Sequence, residues 1–177
     1  MIGTLETVPA LSRPDLLAQP VIEALETYRG EDVLVAQIDP DLADTAAFCE
    51  RYRVPLEISA NCVVIAGKRE GTLRVAACVV LATTRADVNN VVRKRLNVRK
   101  ASFLAMDEAV EATGMEYGGI TPIGLPGDWP VLVDAAVVDI PYVIVGSGVR
   151  RSKIAIPGKA LAALPSAEVV EGLGRPV

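Results

Sequence analysis

The chain has 177 residues, a formal net charge of −4, 51% hydrophobic but only 4% aromatic residues, and no histidine. That length suits one folded unit whose core is drawn from Val, Ala, Leu and Ile, a composition fitting strands buried on both faces and small-residue helices. Without histidine, and with Cys49, Cys62 and Cys78 outside any C-x-x-C pair, the usual structural zinc sets cannot form; the three thiols are expected in the core, and neither a metal nor a cofactor is expected.

The longest apolar stretches, 75–82 and 131–145, are too short for a bilayer span or are broken by Asp134, Asp139 and Pro141. No basic segment precedes an apolar run at the N-terminus, so a cytoplasmic location without a membrane segment is expected. In chain order, Pro20 opens an amphipathic helix through Val21, Leu25 and Tyr28 that Gly30 closes, and 33–38 follows as a strand. A second helix covers 44–52, with Asp44 as its cap and Val54-Pro55 as its stop. Segments 61–66 and 73–83 form an antiparallel pair joined by the longer loop 67–71, and 87–96 forms a surface helix facing the sheet through Val88, Val91, Val92 and Leu96, with Asp87 as its cap. A short strand at 101–104 precedes a helix at 107–113 that Gly114 closes. Strands at 131–138, 142–145 and 153–156, a helix at 159–164 and a strand at 168–170 complete the order.

Strands arriving in hairpin order with helices inserted define an α+β fold: a mixed, largely antiparallel curled sheet or six-stranded barrel with flanking helices. No strand leads into G-x-G-x-x-G or a phosphate-binding loop with Gly-Lys-Ser/Thr, which disfavours a nucleotide cofactor.

Two features carry chemistry. Gly118, Gly119, Ile120, Thr121 and Pro122, followed by Ile123 and Gly124, form a loop whose backbone N–H groups could approach an acyl or carboxyl oxygen without a side-chain base; by itself it reads equally as an ordinary helix-to-strand connection. Arg93, Lys94, Arg95, Arg99 and Lys100 crowd into eight residues of an otherwise acidic chain, which reads as a phosphate contact or as a solvated helix face and loop.

The helix at 44–52, Val54-Pro55, the strand from Asn61, Lys100-Ala101-Ser102, the G-x-x-x-P loop from Gly118 to Pro122, Val133-Asp134-Ala135 and Gly146-Ser147-Gly148 together resemble the YbaK-like proteins. These are freestanding relatives of the editing domain of bacterial prolyl-tRNA synthetase. The resemblance covers about 44–173, making 1–43 a helix-strand extension of a single domain spanning 1–177. It implies trans hydrolysis of the ester of mischarged tRNA, with Gly118–Pro122 binding the carbonyl, and the acceptor end of tRNA, not DNA, as partner, together with contact to an aminoacyl-tRNA synthetase. It also implies that Asp134, Gly146, Ser147 and Gly148 lie by the substrate, and that Arg93, Lys94, Arg95, Arg99 and Lys100 face tRNA. Asn61 stands where the family has a lysine, so a full charge is replaced by a neutral amide. Lys153, Arg150 and Arg151 are the candidates to replace that charge, or else exposed strand-end cations. The substitution leaves a second class open, a non-catalytic module that binds tRNA, an aminoacyl group or a protein.

Overall fold

The computed structural model describes residues 2–30 and 32–177, so of the segment 1–43 only Met1 and Glu31 lie outside it. In chain order the elements are β1 (Thr7–Pro9), α1 (Gln19–Thr27), β2 (Leu34–Gln37), α2 (Thr45–Tyr52), β3 (Ala60–Arg69), β4 (Thr72–Leu81) and β5 (Thr84–Ala86). A π-helical turn (Val88–Val92) runs into α3 (Arg93–Leu96), followed by β6 (Ser102–Phe103), α4 (Met106–Thr113), β7 (Val131–Asp134), α5 (Ala135–Val138), β8 (Val143–Gly146) and β9 (Ser152–Ile156). Last come α6 (Gly158–Ala162), β10 (Ala167–Val170) and β11 (Gly174–Pro176).

Two sheets carry the fold, one in the order β1-β2-β9-β8 and one in the order β10-β7-β4-β3-β6. The first is antiparallel throughout; the second is antiparallel around β3 but parallel at β4-β7 and β7-β10. A parallel bridge between Ser59 and Ile144 joins them, so the α+β sheet is curled and mixed, without closing into a barrel among the described residues.

Strand alternation explains the layering, because successive side chains leave a strand on opposite faces. Ala77, Val79, Val131 and Val133 from one sheet meet Val35, Val143, Val145, Ile154 and Ile156 from the other, and α1 adds Val21 and Leu25 to this central core. The intervening positions face outward: Ala76, Cys78, Val80 and Leu132 under Val92 and Leu96, and Ala36, Ile144 and Ala155 under Phe48 of α2. Each sheet is thus buried on both faces, which accounts for continuous apolar runs where half-exposed strands would alternate.

Four expectations need correction. The hairpin between β3 and β4 is tight, with Arg69 opposite Thr72 and both Glu70 and Gly71 at positive φ (52° and 79°), the conformation of a two-residue primed turn that follows the twist of the strands. The strand expected over 131–138 ends at Asp134, whose backbone starts the helical turn α5; two alanines and the loss of a pairing partner favour the turn over further strand. The helix at 87–96 is π-helical in its first half, although Asp87 does cap it by accepting from the Asn90 amide at 3.2 Å. Strands β1, β5 and β11, three residues each, were not expected, being too short to show a period.

Segment 1–43 is woven into this frame. β2 sits between β1 and β9, and Ser152 Oγ donates to the Leu16 carbonyl at 2.5 Å.

Candidate functional site

The loop from Gly118 to Pro122 leaves α4 through Gly114, whose φ of +69° provides the left-handed helix end that glycine adopts without strain. It then docks against the turn that follows β8. Gly148 N donates to the Gly119 carbonyl at 2.7 Å, and Glu116 N donates to the Gly148 carbonyl at 2.8 Å. The approach leaves no room for side chains: a Cβ on Gly146 would lie 2.7 Å from the Gly119 carbonyl oxygen and 2.9 Å from that of Ile120, and one on Gly119 would lie 2.8 Å from the Val149 carbonyl. Two glycine-bearing segments therefore hold each other's backbone, as close main-chain contact requires. The Gly119 carbonyl points toward Gly148, so across the trans peptide the Ile120 amide points the other way, and it donates to no protein acceptor among the described residues.

Beside this contact lies an open cavity of about 660 Å³. Its walls include Gly118, Ile120 and Gly146, Asn61 and Cys62 at the start of β3, Asp44 and Thr45 at the start of α2, and Arg150 and Lys153. Asn61 Oδ1 accepts from Thr45 Oγ1 at 2.6 Å, which leaves the Asn61 NH₂ as the donor for a ligand.

Lys153 is not an exposed strand-end charge. It alternates with Ile154 on β9, so its side chain leaves the sheet on the face covered by α2; it is 8% exposed, its Nζ donates to the Ala43 carbonyl at 2.9 Å, and it lies 5.3 Å above the Phe48 ring. Burial lowers its pKa from the ordinary lysine value, opposed by the Cys49 thiol and the Asp44 carboxylate and reinforced by Arg150. An amine with two unused donor positions thus shares a cavity with Asn61.

The remaining predicted residues are placed as follows. Thr121 is fully buried with its Oγ1 unpartnered among the described residues. Pro122 faces a separate, mainly apolar cavity of about 430 Å³ lined by Leu25, Tyr28, Trp129 and Leu164. Ser147 is buried and builds its own turn, with Oγ 2.6 Å from Ser152 Oγ and within reach of the Val149 carbonyl, and Gly148 has φ +89° in that turn. Asp134 is outside the cavity, its Oδ2 accepting from Gly174 N at 3.2 Å to anchor β11. Arg150 donates to the carbonyls of Tyr117 and Pro40, whereas Arg151 points away to Asp15.

In the basic run, Arg95 is paired with Glu168, and Arg93 donates to the Asn89 carbonyl at 2.8 Å; Lys94, Arg99 and Lys100 are exposed. Cys62 is half-buried, packing against the central core and also lining the cavity, while Cys49 and Cys78 are buried. Burial and the neighbouring Cys78 push the Cys62 thiol well up, so it meets a ligand as a neutral, weakly nucleophilic group. No three Cys, Asp or Glu side chains converge as a metal site would need among the described residues.

Thr45, Phe103 and Tyr117 line the cavity and were missed. The aromatic pair carried a signal: in a chain with two Phe and four Tyr, one of each falls between the basic run and the glycine loop.

A curled α+β domain whose cavity is walled by a glycine loop, amide and ammonium donors, and no histidine is suited to binding a carbonyl through fixed donors. The aminoacyl-tRNA editing domain family matches residues 39–164, well over half the chain, and the chain belongs to that family. Among curated proteins it is 31% identical over 83 residues to the uncharacterized protein YwhH of Bacillus subtilis (strain 168), an alignment covering 47% of this chain and about half, 53%, of that protein. Among solved structures it is similar in fold to the "Crystal structure of a putative trans-editing enzyme for prolyl tRNA synthetase", with a TM-score of 0.71 and 22% identity over 87% of this chain and 94% of that one. It is also similar to the hypothetical protein APE2540, with a TM-score of 0.75 and 18% identity over 88% of this chain and 99% of that one.

Proposed function

We propose that the protein is a trans-acting deacylase that hydrolyses the ester between a wrong amino acid and the terminal ribose of tRNA, in the manner of prolyl-tRNA editing. The observation that carries this reading is the convergence of Ile120, Asn61 and Lys153 on one cavity of about 660 Å³, large enough for an aminoacyl group and its ribose. Water adds to the ester carbonyl, the charge on the tetrahedral oxygen is met by the Ile120 amide and the Lys153 ammonium, and the Asn61 NH₂ orients the ester. The bond to the ribose oxygen then breaks, and the proton lost by the attacking water ends on that oxygen through the ribose hydroxyls, giving free amino acid and uncharged tRNA. Such a path requires no histidine.

The acting unit in this proposal is the whole chain, 1–43 included, since β2 pairs with the strand that carries Lys153. Lys94, Arg99 and Lys100 supply phosphate contacts, with Arg93 and Arg95 holding the segment in shape. Asp134, Ser147 and Gly148 act by positioning, the first through β11 and the others through the turn that holds the loop.

Hydrolysis of alanyl-, cysteinyl- and seryl-tRNA is the deciding measurement. Turnover above the uncatalysed rate, reduced by Gly118→Val or Asn61→Ala, is expected. A folded sample that binds these tRNAs in a salt-dependent way and deacylates none would replace this reading with the non-catalytic module, which the neutral Asn61 and the Lys153 bond to the Ala43 carbonyl favour.

A further inference from the structure

The cavity mouth is ringed by side chains that the core does not use. Phe103 is 65% exposed, Tyr117 57% and Met106 48%, and all three line the opening. Water-facing aromatic rings are costly for a chain with so few of them, and an exposed apolar rim on a cavity marks a contact surface. Both rings are held in place from behind. Phe103 sits in β6 opposite Ile65, with the following Leu104 amide bonded to the Val64 carbonyl at 2.9 Å. Tyr117 carries the Arg150 guanidinium 5.9 Å from its ring centroid, and Arg150 is tied to the Tyr117 carbonyl at 3.2 Å.

The charge beside this rim selects the occupant. Residues 68–100 contain nine of the 18 Lys and Arg but only Glu70 and Asp87 of the 22 acids, so this segment is strongly basic in an acidic protein. Lys100 is three residues from Phe103, roughly 10 Å along extended chain. Its carbonyl lies close enough to β3 that a Cβ on Gly67 would stand 2.5 Å away. Lys68, Arg69 and Arg99, with Glu70 among them and Arg69 donating to Asn97 Oδ1 at 3.0 Å, line a shallow pit at the far end of β3, about 26 Å of strand from Asn61. A polyanion following these cations would arrive at the aromatic rim and then the cavity.

From this continuity we propose that Phe103 and Tyr117 form a stacking clamp for the unpaired nucleobases of an RNA 3′ end, with Arg99, Lys100, Lys68 and Arg69 taking the phosphates behind it. The inference rests on the deacylase reading only for the identity of the RNA. Aromatic faces accept any base, so the clamp grips the end without reading sequence, while the cations follow the backbone. Arg150 closes one side of Tyr117 and adds a guanidinium plane for the same stack.

The test uses uncharged RNA and no turnover: a 5′-fluorescein RNA hairpin with a four-nucleotide unpaired 3′ end, and the same hairpin with a blunt end, titrated by anisotropy. Wild-type protein is expected to prefer the overhang. Phe103→Ala and Tyr117→Ala should each weaken overhang binding by about fivefold to a hundredfold, the range of lost base stacking, with the blunt hairpin unchanged and Phe103→Trp retaining affinity. Both residues are exposed, so a melting temperature equal to wild type confirms a folded variant. Equal wild-type affinity for both hairpins, unchanged overhang binding by the two alanine variants, or equal losses on both hairpins would each overturn the clamp. A protein that shows the overhang preference yet deacylates nothing would retain the clamp and lose the hydrolase.

Discussion

Replacing Lys153 by methionine removes the ammonium while keeping most of the stem that lies over Phe48. If the ammonium meets the developing oxyanion, its loss should resemble loss of one fixed donor in a dry site, about 3 kcal/mol of barrier, or roughly a hundredfold in kcat/KM. Stability should change little. The Ala43 carbonyl loses its donor, a cost of about 1 kcal/mol, but an amine that is 8% exposed no longer needs to be kept out of water. The informative partner is Asn61→Lys, which puts a second cation in the same cavity. In wild type that change places two ammonium groups together and should lower activity; in the Lys153→Met background it should recover about tenfold or more. Single-turnover deacylation of the best substrate, with thermal melts as control, reads all four proteins. A Lys153→Met enzyme as fast as wild type, or an Asn61→Lys change equally harmful in both backgrounds, would refute the idea that the charge has moved from β3 to β9.

The lowered pKa of Lys153 predicts an alkaline limb in kcat/KM, corrected for uncatalysed hydrolysis, below the ordinary 10.5; Lys153→Arg should move that limb upward, and a limb unaffected by the substitution would assign it to another group. For stability the sign follows from proton counting: just below 10.5 the unfolded chain binds more protons than the native one, so stability rises with pH through that window and this rise is absent from Lys153→Met. Gly146→Ala pushes a methyl onto the Gly119 and Ile120 carbonyls and should cut kcat/KM about tenfold or more, whereas Gly127→Ala, with no atom within 4 Å of the added carbon, should leave it unchanged; equal activities would show that the loop position is irrelevant to catalysis.

What the sequence disclosed and what it hid divide along the range of the interactions. α1, α2 and the β3-β4 hairpin were legible because their apolar patterns and end signals lie within ten or so residues: Asp44 and the Ala46 amide, Gly114 after α4, the continuous apolar run of β4. Strands β5 and β11 exist only because they find each other across the chain, through Gly174 opposite Ala86 and Pro176 opposite Thr84, and three residues carry no period to read. The break after Asp134 belongs to the same class, since the pairing that ends there, with Val170 on β10, is long-range.

The site shows the same division more sharply. A substitution such as Asn61 is visible at its own position, where it registers only as the loss of a charge, but whether the charge is lost from the cavity depends on every strand that borders it. Lys153 is separated from Asn61 by about half the chain, yet it lies opposite Gly146, and Gly146 touches the glycine loop. Its burial follows from a parity: Ile154 and Ile156 face the core between the sheets, so Lys153 and Ala155 must face α2, whose first turn also holds Asn61 through Thr45. The exposed reading of Lys153 treated the cation as the end of a strand, whereas α2 covers that end. The burial that depresses its pKa also aims it at the cavity: the charge of a lysine free to reach solvent would be screened by water and contribute little to an oxyanion, while one held against Ala43 and Phe48 has few places for its charge other than a ligand beside Asn61.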